Sequence, residues 1–119
     1  LDELGYLLDT YPNLYTDISF GSFAQEGFER LSKDSEKYST FIVRYSDRIL
    51  FGTDLVMTDN PTKTTQYIID MTNCYKDLLE ESEYSCFLSE EMLNGFDLND
   101  DVLERIYEEN PRKLIQASQ

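Results

Sequence analysis

The stretch "RILFGTD", Arg48–Asp54, decides how this chain is read. Ile49, Leu50 and Phe51 form a short apolar run with an arginine before it and Gly52, Thr53 and a carboxylate after it. An apolar run of this length, bounded by turn residues, has the form of a buried strand. A second run of the same kind lies upstream in "NLYTDISF", Asn13–Phe20, where Leu14, Tyr15, Ile18 and Phe20 precede Gly21 and Ser22. The expectation is a pair of parallel, adjacent strands, Leu14–Ser19 and Arg48–Thr53, joined by helix.

The rest of the chain reads as helix around these two runs. In "LDELGYLLDTYP", Leu1, Leu4, Leu7 and Leu8 fall on one helical face, and Pro12 with Asn13 stops it. Phe23, Phe28 and Leu31 suggest a loose helical loop. From Ser35, a plausible N-cap, Tyr38, Phe41, Ile42 and Tyr45 recur at helical spacing. The longest helix is expected over Thr62–Glu81, opened by Asn60 and Pro61, with a stripe of Ile68, Met71, Tyr75, Leu78 and Leu79. A short helix is placed near Ser89–Leu93 in the mixed stretch that follows. Val102, Leu103, Ile106 and Tyr107 make a further helical face that Pro111 is expected to break, leaving a last turn with Leu114 and Ile115 inward. Strands alternating with amphipathic helices indicate parallel β/α units. Two such strands alone leave unpaired backbone edges, so the expected partner is more polypeptide: the remainder of a larger parent or a second copy.

Composition narrows the function classes. The chain has 119 residues, of which 40% are hydrophobic, enough for one globular domain. With 10 Lys and Arg against 24 Asp and Glu, its net charge is −14, which repels nucleic-acid phosphates and anionic lipid; neither nucleic acid nor membrane is expected as a partner. There is no long apolar run and no signal-peptide pattern, and the expected location is cytoplasmic. Cys74 and Cys86 are then read as buried reduced thiols, with one disulfide as the alternative. With no histidine anywhere, two cysteines cannot complete a four-ligand zinc site.

In parallel β/α folds, ligands bind at the carboxyl ends of the strands. Asp54 directly follows one strand; Asp17 and Ser19 lie near the end of the other. Gly52 leaves room for another group to approach the backbone. A carboxylate at Asp54 can bind a divalent metal or accept a proton from a metal-bound water, or it can simply cap a turn. Pattern alone favours the turn. "DLNDDVLERIYE" has Asp97, Asn99 and Asp101 at calcium-loop spacing, but Val102 stands where that loop requires glycine, so a capped acidic helix start is the better reading.

Together, "YPNLYTDISF" and "DRILFGTD" resemble barrel strands seven and eight of the amidohydrolase-related family of metal-dependent hydrolases, and "ERIYEENPRKLI", Glu104–Ile115, resembles that family's closing helix. The resemblance implies an α/β fold: the last β/α units of a (β/α)8 TIM barrel, incomplete in this chain, since such a barrel takes about 250 residues. Residues 1–119 would form the C-terminal segment of that domain. It implies metal-assisted hydrolysis, with decarboxylation as a variant, on a small-molecule substrate in the parent. Asp54 then becomes a catalytic, metal-binding carboxylate, and Asp17 and Ser19 substrate-binding groups. The implied cofactor is a divalent metal, zinc first, held only in the complete parent. The family's histidine ligands are missing from this chain, so the isolated chain is expected to be inactive. The competing reading is an acidic, non-enzymatic β/α interaction module.

Overall fold

A computed structural model describes residues 2–18, 24–52 and 64–117. Its elements are α1 (Asp2–Thr10), β1 (Thr16–Asp17), α2 (Ala24–Lys33), α3 (Ser35–Arg44), β2 (Ile49–Leu50), α4 (Thr65–Glu80), β3 (Glu83–Tyr84), β4 (Leu93–Asn94), α5 (Asp100–Glu104) and α6 (Asn110–Ala117). A 3₁₀ turn, Ser46–Arg48, leads into β2, and a π-helical turn, Arg105–Glu109, joins α5 to α6. The fold is mixed helix and sheet, with no closed barrel among the described residues. No helix among them is long and apolar enough to cross a membrane.

β1 and β2 pair in parallel, Thr16 opposite Ile49 and Asp17 opposite Leu50. The pairing agrees with the sequence expectation; the strands are shorter. Arg48 stays in the 3₁₀ turn, because its guanidinium reaches back to α1. There Nη1 donates to the carbonyls of Leu8 (2.5 Å) and Tyr11 (3.1 Å), and the cation lies 5.7 Å from the Tyr45 ring centre. These carbonyls end α1, where unpaired acceptors and the helix dipole favour a cation. Asp9 adds to this joint, accepting from the Tyr45 hydroxyl at 2.8 Å. Of the four leucines assigned to one face of α1, Leu8 is buried and Leu4 half-buried. Leu7 is 41% exposed, since it falls at the edge of the Leu4–Leu8 contact stripe, and Leu1 lies outside the described residues.

The helical layer packs over this pair. Phe28 meets Tyr75 at 4.8 Å between ring centres, making α2 a regular buried helix rather than a loose loop. α3 follows after a break at Asp34, which occupies the N-cap expected of Ser35. The α4 stripe is as expected, with Met71, Tyr75, Leu78 and Leu79 buried and Ile68 half-buried. Its start is not. The Thr64 side chain accepts from the Tyr67 amide at 3.1 Å and fixes the helix start at Thr65 rather than Thr62; Asn60 and Pro61, the cap assigned from sequence, lie outside the described residues.

The mixed stretch contains no helix. Residues 93–94 pair antiparallel with 83–84, because Leu93 and Tyr84 are both buried as a cross-strand pair and a lone helical turn is marginal. Cys74 and Cys86 form a disulfide, Cα–Cα 5.4 Å; the reduced-thiol reading is corrected by two positions that face each other across α4 and the end of β3. Asn99 caps α5, accepting from the Val102 amide at 3.0 Å, as the reading against a calcium loop requires. Pro111 does not break the final helix. The Asn110 amide already donates five residues back, to the Arg105 carbonyl, and this wider turn accepts a following residue without an N–H. Leu114 and Ile115 are 41% and 60% exposed rather than inward, because the wider turn rotates the faces beyond it.

Candidate functional site

The carboxyl ends of β1 and β2 lie side by side, and Asp17 is the polar group they bring to that end. Its carboxylate lies against Gly52: a Cβ built on Gly52 would stand 3.4 Å from Asp17 Oδ2 and 3.4 Å from its Cβ. The approach expected at this glycine is therefore real, and Asp17 is the group that makes it. A methyl there would sit at ordinary van der Waals distance from the Asp17 side chain. Phe51, on the opposite side of the strand, turns its ring to Tyr107 at 5.2 Å, so the alternation after β2 sends one residue to the final helices and the next to Asp17. Asp17 is exposed. Ser19 and Asp54 lie outside the described residues.

Beneath this end, Leu4, Ile18, Leu31, Phe41, Ile49 and Leu78 line an apolar cavity of about 160 Å³. Thr16 and Asp17 of β1 line it as well, so it lies directly against the candidate carboxylate.

What fixes β2 is a set of side chains that sequence reading passed over. Asn110, fully buried at 0% exposure, donates through Nδ2 to the carbonyls of Ser46 (2.6 Å) and Ile49 (2.8 Å). Arg105 donates to the Ser46 hydroxyl at 3.0 Å. Arg48 ties the other end to α1, as described above. The signal for these residues was in the chain: an arginine before the apolar run and an asparagine at the start of α6, both in the segments that carry the resemblance.

The Tyr45 hydroxyl, at the end of α3, is raised by its bond to Asp9 first and by burial second; the other groups with displaced pKa values stand around the end of α4. The Asp77 carboxyl is raised by burial first and by the neighbouring Glu80 charge second, with Lys76 opposing. The Tyr107 hydroxyl is raised by burial and by its 3.0 Å bond to Glu80, and the Tyr84 hydroxyl by burial and by Asp77. None of these belongs to the strand ends.

A family model described as amidohydrolase matches residues 1–116. The chain belongs to the amidohydrolase family. No curated protein and no solved structure matches it. Members of this family are metal-dependent hydrolases, usually TIM barrels, and generally use divalent metals. The donors of this chain do not fit a metal on their own. It has no histidine, both cysteines are bonded to each other, and no three His, Cys, Asp or Glu side chains among the described residues gather where an ion would be held.

Proposed function

We propose that this amidohydrolase chain supplies strands seven and eight of a (β/α)8 barrel in a metal-dependent hydrolase, and that Asp54 is the carboxylate it brings to the metal. The observation that carries this reading is the parallel register, which sets Asp17 against Gly52, two residues before Asp54. A bound divalent metal, zinc first, supplies Lewis acidity and an activated water for hydrolysis. No step is assigned to this chain alone, because its imidazole partners must come from the rest of the barrel. Asp54 holds an anionic oxygen at the barrel mouth. Asp17 and Ser19 line the same mouth and position a small-molecule substrate. The two-residue ladder of β1 and β2 and the exposure of Tyr6 and Leu7 on α1 and of Tyr11 just after it support packing against further barrel or a second copy of the chain.

The test is Asp54→Asn in the full-length parent, with turnover and thermal midpoint measured together. Turnover is expected to fall by about 10²-fold or more at an unchanged midpoint. In the isolated chain the same change should alter no activity. Unchanged turnover in the parent would return Asp54 to a turn residue and leave the acidic interaction module as the better account.

A further inference from the structure

We propose that the Cys74–Cys86 disulfide is a redox-set clasp: oxidised, it holds the segment from Cys86 to Leu93 as one wall of a cleft against α2, and reduced, it releases that wall while α4 and the base of the hairpin stay in place.

The base of the hairpin is secured without the disulfide. The amides of Phe96 and Leu98 donate to the carbonyls of Leu78 (2.7 Å) and Leu79 (2.9 Å), and the Gly95 amide donates to the Ser82 carbonyl at 2.8 Å. From α2, Ser32 accepts from the Asn94 amide at 2.8 Å through its hydroxyl. All of these lie at or beyond β4, or before β3. The connecting segment is held differently. Its internal bonds are a turn from the Ser89 amide to the Cys86 carbonyl (3.0 Å) and a bond from the Glu91 amide to the Ser89 hydroxyl (3.3 Å). Its ties to α4 are the disulfide at its root and an edge contact of Phe87 with Tyr67, ring centres 5.7 Å apart. Phe87 is 52% exposed and Met92 65% exposed, so between its buried ends Leu88 is the apolar side chain of the segment that packs against the core. The wall it forms faces Gln25, Glu29 and Lys33 of α2 across a cleft of about 670 Å³. With the Leu88 contact and the Tyr84–Leu93 pair, the covalent bond is one of three constraints on that wall, and the one at its root that redox chemistry can remove.

Closing the clasp is a two-electron oxidation. Two S–H bonds break, one S–S bond forms, and the two electrons and two protons pass to a disulfide-bearing oxidant, which leaves as a dithiol. Both cysteines are buried, at 3% and 4% exposure, so once the core has closed over them exchange with external thiols is slow. Such a bond is made during folding and persists where thiols are not kept reduced. A cytoplasmic location goes with reduced thiols and an open clasp; an oxidising compartment goes with the closed one.

The experiment compares the full protein with its C74A/C86A variant by amide hydrogen exchange. Exchange at Ser89 is expected to become about tenfold faster in the variant, with Phe96 and Leu98 unchanged. Unchanged exchange at Ser89, or protection lost across α4 and the hairpin base together, overturns the clasp. If the variant does not fold, the same amides are compared in oxidised and reduced wild-type protein, with the same two readings. Thiol labelling of protein matured in an oxidising compartment provides an independent check. No label after unfolding without reductant, and two labels after reduction, are expected; two labels without reductant overturn the proposal. Neither measurement depends on Asp54 or on hydrolase turnover.

Discussion

The strand pair β1–β2 and the hairpin β3–β4 are both ladders of two residue pairs, and they are secured in opposite ways. The hairpin is tied mainly by backbone bonds, from Gly95 to Ser82 and from its exit to the end of α4 (Phe96 to Leu78, Asp97 to Glu81 and Leu98 to Leu79), with Ser32 of α2 holding Asn94 from the side. The strand pair is held largely by side chains reaching in from distant elements: Arg48 to the end of α1, Asn110 and Arg105 to the approach to β2. A two-pair parallel ladder is marginal by itself, and its carboxyl end has to stay open if it is to present Asp17 to a ligand. Its geometry is therefore fixed from behind and from the sides. The hairpin has no such end to keep open, and its exit is closed by backbone bonds onto the end of α4.

This contrast is broken most severely at Asn110. Asn110→Ala strips two buried carbonyls of their donor at once. At about 1–3 kcal/mol for each group left unpaired, the expected loss is about 4 kcal/mol of unfolding free energy, read from denaturant midpoints. A loss below about 1 kcal/mol would mean that β2 is held by its ladder after all. In the hairpin the matching position is Gly95, where a Cβ would lie 2.0 Å from the Glu81 carbonyl oxygen. That neighbour is backbone and cannot swing aside, so Gly95→Ala should cost about 3 kcal/mol, the upper end for overpacking. Amide exchange should then rise at Phe96 and Leu98 and leave β1–β2 unaffected. Arg48→Ala, which uncaps α1 and removes two charge-assisted bonds, should cost about 2 kcal/mol. The loss should be greater than for Arg48→Lys, because an ammonium has no planar fork to span two carbonyls.

How much of this was legible beforehand follows the same division. The parallel pairing and the α4 stripe could be read because periodicity reports burial directly, and Ile49, Met71, Tyr75 and Leu78 have no other use. The caps were read where side chain and helix start are adjacent, as at Asn99, and missed where a better donor–acceptor pair lay further on, as at Thr64. The hairpin was hidden because Ser89–Leu93 has no period, and its strand character comes from Leu93 meeting Tyr84. Pro111 misled because a proline rule assumes an α-helical register, and the π turn before it had already changed that register. At the candidate site, Asp17 was found from its place at a strand end; Arg48 and Asn110 stood in view in their segments, but their partners lie 37 to 64 positions away, a distance over which no local pattern says what they bind.

The smallest effect is expected on the hairpin side, where α4 ends without a basic residue in its last turn and carries Asp77 and Glu80 instead. Negative charge at a helix C-terminus opposes the dipole. Burial first, and then Glu80, raise the Asp77 carboxyl above its ordinary value of 3.8. A carboxyl raised on folding makes the folded state bind more protons than the unfolded one. Its contribution to stability is therefore present below the unfolded pKa and is lost as pH rises through the folded value. Asp77→Asn cannot ionise and escapes that loss. The variant should match the wild type near pH 3 and become slightly the more stable as pH rises to 7, by urea midpoints at the two values. Added salt should remove the part of the gain that comes from Glu80 and leave the part that comes from burial. A variant that loses ground as pH rises would show that the Asp77 carboxylate is stabilised where it stands, and that the end of α4 helps to hold the hairpin through charge as well as through its backbone.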